Sequence, residues 1–234
     1  MIGILVQLTL SWLIIWIFEK GNLSVLGLRP TKRRIFDFFL FLVITAVCCA
    51  SGFFMRMYFA KEQWVLNPGL NFKLILDGIW WNVKSVMFEE LIFRGVIFYI
   101  LIKKLGMIPA IVISAAAFGI YHWFSFEVFG NVQQMIFIFI ITGLMGALYA
   151  YGYAKTYSFY IPIAIHLGWN FTHGFVFSQG SIGNGIFIPV KGQPAVQVSY
   201  FIYFCVTFLP MLAAWLINFF ILRKKKLVFA VENL

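Results

Sequence analysis

Seven blocks of mostly apolar residues separated by short polar strips constrain this chain more than any other feature, because each is close to the ~20 residues that a helix needs to cross a bilayer. They lie near residues 2–18, 36–58, 74–102, 106–126, 133–153, 159–178 and 197–222. Only 11% of the residues are charged, 62% are apolar and 20% aromatic, whereas a water-soluble domain carries about 25% charged residues. No soluble core could hide so much apolar surface. The pattern predicts an all-α, polytopic transmembrane helical bundle of about seven spans, read as a single membrane domain over residues 1–234.

A net charge of +10 could point to nucleic acid, but the basic residues gather beside the apolar blocks. Arg29, Lys32, Arg33 and Arg34 precede the second block, and Arg223 to Lys226 close the last. Such clusters are topology signals, so the expected surroundings are a lipid bilayer and not nucleic acid. Seven alternating crossings put these clusters, with Lys20, Lys103, Lys104 and Lys155, on one side, and only Lys61, Lys73 and Lys191 on the other, with Arg56 near the boundary. The positive-inside rule then places the amino terminus outside and the carboxyl terminus in the cytoplasm of a multi-pass cell-membrane protein. The first block lacks a basic leader and a cleavage pattern and reads as a retained span. Cys48, Cys49 and Cys205 lie in apolar blocks without metal-ligand spacing and read as buried packing residues. Residues Gln179 to Gln197, with Gly180, Gly183, Gly185 and Pro194, read as a loop. Gly143, Gly146 and Ala150 form a small-residue face suited to close helix packing.

Ionisable groups at bilayer depth cost at least about 2.5 to 3.5 kcal/mol each and mark function or pairing. The third block holds Asp77, Lys84, Glu89, Glu90 and Arg94. A four-residue step places Arg94 on the helix face of Glu90, where the two neutralise each other. Glu89 is rotated about 100° away and needs another partner, which makes it the better candidate for a catalytic base. Two histidines of the later blocks stand out: His122 in Phe-Gly-Ile-Tyr-His and His166 in His-Leu-Gly-Trp-Asn. Helical spacing brings His166 and Asn170 together, with His173 on another face. Counting 1.5 Å per residue from the cytoplasmic ends puts Glu89 and Glu90 at roughly 18 to 20 Å, His122 at about 24 Å and His166 at about 10 Å. No zinc-protease His-Glu-x-x-His helix, serine elbow or phosphate loop is present, which leaves carboxylate- and imidazole-activated water among hydrolytic options.

The order Glu-Glu-x-x-x-Arg, Phe-x-x-x-His, His-x-x-x-Asn on successive membrane helices resembles the CAAX protease and bacteriocin-processing family, also called Abi or CPBP. The resemblance covers residues 74–178 and leaves 2–58 and 197–222 as accessory spans. It implies an intramembrane endopeptidase acting on a membrane-associated peptide or protein. Carried over by motif, Glu89 is the general base, Glu90 and Arg94 its supporting pair, and His122, His166 and Asn170 complete the catalytic set. Both metal-dependent and metal-independent versions stay open. Glu89, His122 and His166 could hold Zn²⁺, or no cofactor is used and Glu89 alone activates water; two histidines and one amide are a thin ligand set and favour the second. The short chain resembles the bacterial members, linked to peptide processing or bacteriocin self-immunity. A non-enzymatic immunity or scaffold protein, and a transporter with a carboxylate proton relay, are the competing readings.

Overall fold

A computed structural model of the protein describes residues 2–180, 183–193 and 196–227. The chain is an all-α, multi-pass membrane protein whose helices are α1 (Ile2–Glu19), α2 (Lys32–Phe59), α3 (Phe72–Arg94), α4 (Val96–Leu105), α5 (Met107–Ser125), α6 (Val132–Thr156), α7 (Tyr160–Phe171) and α8 (Tyr200–Lys224). A π-helical turn, Thr172–Val176, prolongs α7. Helices α1, α2, α5, α6 and α8 are long and apolar enough to cross a membrane by themselves. The other two crossings needed for about seven are α3, burdened by Lys73, Asp77, Lys84, Glu89, Glu90 and Arg94, and α7, only 12 residues long. Large side chains such as Val112, Ile136 and Phe201 lie on the surface, where lipid and not water is their natural solvent.

The third apolar block differs from its expected form as one crossing, because α3 stops at Arg94 and α4 starts at Val96. The backbone turns at Gly95 so tightly that a Cβ there would stand 2.1 Å from the Leu91 carbonyl oxygen. Ser114 Oγ donates to the Phe93 carbonyl at 2.8 Å, replacing a partner that the broken helix cannot supply. The Gln179–Gln197 loop also holds a strand, β2 (Phe187–Pro189), antiparallel to β1 (Trp64–Leu66) with Val65 opposite Ile188. Pro194 and residues 181–182 of that loop lie outside the described residues. All three cysteines are free thiols; Cys48 and Cys49 are buried, but Cys205 is half-buried.

The described residues pack into two compact units. The first takes the described parts of Met1–Phe38, Met87–Ile163 and Ile221–Leu234. Its apolar core includes Ile15, Leu26, Phe98, Tyr153 and Phe159. Several helix ends meet within it. Lys103 at the end of α4 pairs with Glu19 at the end of α1, Arg34 in the first turn of α2 donates to the Tyr157 carbonyl beyond α6 at 3.3 Å, and Lys225 beyond α8 holds Asp37 at 2.6 Å. These are the ends that carry the basic clusters.

The second unit takes the described parts of Phe39–Val86 and Ala164–Phe220. Phe53 stacks on Phe177 with centroids 4.0 Å apart, and Asn67 ties the β1 connection to the Gly185 carbonyl at 2.8 Å. Asn218 of α8 donates to Thr45 Oγ1 of α2 at 2.9 Å, a buried polar link of the sort that joins membrane helices. Helix α7 lies against α2 at Gly168, where a Cβ would fall 2.6 Å from the Leu42 carbonyl oxygen. Backbone cannot yield as a side chain can, so Gly168→Ala is expected to destabilise the protein by about 1–3 kcal/mol. Thermal unfolding in detergent reads this as a lowered midpoint, and an unchanged midpoint would contradict the close α2–α7 approach.

Candidate active site

Arg94 is wholly enclosed in the first unit, so its charge must be met by groups within the fold. Its Nη1 donates to Glu90 Oε1 at 3.1 Å, one helical turn back on α3, and its Nη2 donates to the Gly146 carbonyl of α6 at 2.9 Å. Gly146 allows this approach, because a Cβ there would stand 2.9 Å from the Phe118 ring and 3.0 Å from Arg94 Nη2. The guanidinium also rests 4.4 Å from the Phe118 ring centroid and 5.1 Å from that of Tyr149, a cation–π environment worth about 2 kcal/mol where water is excluded. Glu90, itself fully buried, is thereby committed to charge balance.

Glu89 points elsewhere. Its Oε2 lies 4.0 Å from His122 Nε2 of α5, and both side chains are mostly enclosed. The other ring nitrogen, Nδ1, is 2.7 Å from the Phe118 carbonyl. A carbonyl only accepts, so Nδ1 carries the proton, and in the neutral ring Nε2 presents a lone pair toward Glu89. The rings of Phe118, Tyr121 and Phe126 surround the imidazole with centroids 4.4, 5.3 and 5.7 Å away. Two acceptors 4.0 Å apart do not bond directly, but their separation suits one water donating a hydrogen to each. A water so held turns its oxygen lone pairs away from both, toward an incoming electrophile.

Phe118 is the residue whose part is largest relative to its sequence signal. Its carbonyl fixes the His122 tautomer, and its ring packs on both the imidazole and the Arg94 guanidinium. Phe-x-x-x-His spacing hints at the carbonyl contact through the i,i+4 rule, whereas nothing in the string indicates the Arg94 contact. The depth count separated Glu89 from His122 by treating residues 74–102 as one straight rod; the break at Gly95 removes that premise.

His166 and Asn170 belong to the second unit. His166 is buried, and Asn170 Nδ2 donates to its Nε2 at 3.0 Å, which leaves the ring proton on Nδ1 and the second amide N–H of Asn170 for another acceptor. His173 sits apart in the π-helical turn, its ring 5.7 Å from that of Phe53. The structure thus brings Glu89, Glu90, Arg94 and His122 together in one unit and joins His166 to Asn170 in the other. A zinc site takes three protein ligands even when one position stays open. Within the first unit Glu90 is held by Arg94, so Glu89 and His122 are the two members of the expected Zn²⁺ set that this unit contributes.

Residues 71–172 match the family model described as Type II CAAX prenyl endopeptidase Rce1-like. The chain therefore carries an Rce1-like segment, and the CAAX-protease resemblance read from its motifs holds. That segment contains Glu89, Glu90, Arg94, His122, His166 and Asn170, and it supports an intramembrane protease. Comparison with curated proteins and with solved structures yields no match.

The enclosure of Arg94 makes a specific prediction about stability. Arg94→Met should cost about 3–5 kcal/mol, because it strands a buried carboxylate, while Glu90→Met with Arg94→Met should cost markedly less than the two single changes together. Unfolding of the purified protein by graded denaturing detergent measures this, and simple additivity would show that the pair is not coupled.

Proposed function

We propose that this protein is an intramembrane endopeptidase that hydrolyses a peptide bond in or beside the bilayer with water activated by Glu89 and His122. The observation that carries the reading is the 4.0 Å separation of Glu89 Oε2 and His122 Nε2 with Nδ1 committed to the Phe118 carbonyl. In the reaction, the water oxygen bonds to the substrate carbonyl carbon as Glu89 accepts a proton, and the carbonyl electron pair moves onto its oxygen. Collapse of that tetrahedral species breaks the C–N bond, and Glu89 returns the proton to the departing amine. Glu90 and Arg94 act as positioning residues that hold α3 so that Glu89 faces His122. His166 and Asn170 are assigned to the reaction by the order of the motifs. The second amide N–H of Asn170, whose side chain is oriented by His166, is the donor type that stabilises an oxyanion.

The substrate class supported by the resemblance is a membrane-associated peptide or protein, processed in bacterial-type peptide maturation or bacteriocin self-immunity. An amino terminus outside and a carboxyl terminus in the cytoplasm is the arrangement favoured by the basic helix ends that gather in the first unit.

A labelled library of membrane peptides, incubated with protein purified in mild detergent, tests the assignment. Glu89→Gln keeps the side chain's shape without its basicity and should lower cleavage by about 10²- to 10⁴-fold, the range for loss of a general base, with the unfolding midpoint retained. Cleavage by the parent is expected to survive a strong chelator. Undiminished cleavage by Glu89→Gln would overturn the assignment of the base, and chelator-sensitive cleavage would show that a metal takes part in activating the water.

A further inference from the structure

Away from Glu89 and His122, the first unit contains an open cavity of about 240 Å³, walled by Thr31, Arg33, Arg34 and Asp37 at the start of α2, by Ser158 beyond α6 and by Lys226 beyond α8. We propose that this cavity binds a phosphate group, carried either by an anionic phospholipid headgroup or by a soluble phosphate ester. It holds none of the residues placed in the hydrolytic machinery.

Arg33, Arg34 and Lys226 face the cavity with Asp37 as the opposing carboxylate, and Asp37 is already held by Lys225 at 2.6 Å. Arg33 and Lys226 have no ion-pair partner among the described residues. The 28-residue α2 begins with Lys32, Arg33 and Arg34 and has no acidic residue in its first turn, so three cations stand where the helix dipole is already positive and unpaired N–H groups point outward. That arrangement is unfavourable alone and becomes favourable around an anion.

Ser158 supplies the independent observation. It lines the cavity, is 3% exposed, and its Oγ has no hydrogen-bond partner among the described residues. A buried hydroxyl without a partner carries a desolvation penalty that a phosphate oxygen would relieve by accepting a hydrogen bond from it. Thr31 Oγ1 accepts from the Arg34 backbone N–H at 3.2 Å, which leaves its own O–H to donate. Arg34 is fixed at the wall by donating to the Arg29 and Tyr157 carbonyls at 2.9 and 3.3 Å, and it thereby covers a carbonyl that would otherwise repel an anion. Basic pockets between helices near a membrane surface are suited to such headgroups.

Isothermal calorimetry on the full-length protein in an uncharged detergent tests the site with short-chain phosphatidylglycerol, phosphatidylcholine of the same chain length, glycerol 3-phosphate and inorganic phosphate. Saturable binding of phosphatidylglycerol in preference to phosphatidylcholine is expected. Arg33→Gln with Lys226→Gln should weaken it about 30-fold. Ser158→Ala, which removes no charge, should weaken it about tenfold, as for one hydrogen bond to a charged group. Thermal unfolding confirms that each variant is folded. Glycerol 3-phosphate binding as tightly as the lipid identifies a soluble ester as the source, and binding restricted to the lipid identifies the membrane. No saturable binding of any probe, equal binding of phosphatidylcholine, or affinity indifferent to Ser158→Ala would overturn the proposal.

Discussion

Arg94 cannot reach water, and much of the first unit can be understood as the consequence of satisfying its charge. Glu90 supplies the counter-charge, Gly146 supplies a carbonyl, and the Phe118 ring covers the guanidinium face. Each partner comes from a different helix, so one cation fixes α3, α5 and α6 relative to each other. Glycine at 146 follows from this, since a side chain there would meet both Phe118 and the guanidinium. Partners of this quality are required because an uncompensated charge at such a place costs several kcal/mol.

The same arrangement separates two adjacent carboxylates into different roles. Glu90 is spent on charge balance, whereas Glu89, one residue earlier and about a quarter-turn around the helix, faces an imidazole whose other nitrogen is already occupied. Phe118 connects the two pairs, with its ring under Arg94 and against His122 and its carbonyl on Nδ1. A displacement of Arg94 would therefore be felt at His122 through the Phe118 ring. In the proposed reaction this linkage keeps the water-binding acceptors at a constant separation while the substrate comes and goes.

Much of this was legible in the sequence because it depends on local periodicity. The apolar blocks gave the all-α membrane class, and the four-residue steps indicated Glu90 with Arg94 and His166 with Asn170. The break at Gly95 was not legible, because the apolar block runs through it without interruption and the cause is a backbone approach to Leu91. For the same reason the predicted depths kept Glu89 and His122 apart. Pairing of β1 with β2 joins segments more than a hundred residues apart through backbone groups, which leave no trace in side-chain pattern. Ser158 showed no signal either, since a buried hydroxyl without a partner among the described residues is known only from its three-dimensional surroundings.

The central claim is that Glu89 and His122 act on one water. A double-mutant cycle on peptide cleavage, with Glu89→Gln, His122→Ala and the combination, tests it most directly, because residues that work as a unit give strongly non-additive losses. The account predicts that the double variant is scarcely slower than the slower single variant, since either change already removes the bound water's activation. Losses that multiply across the two sites would show that the residues act independently and would contradict the shared-water account.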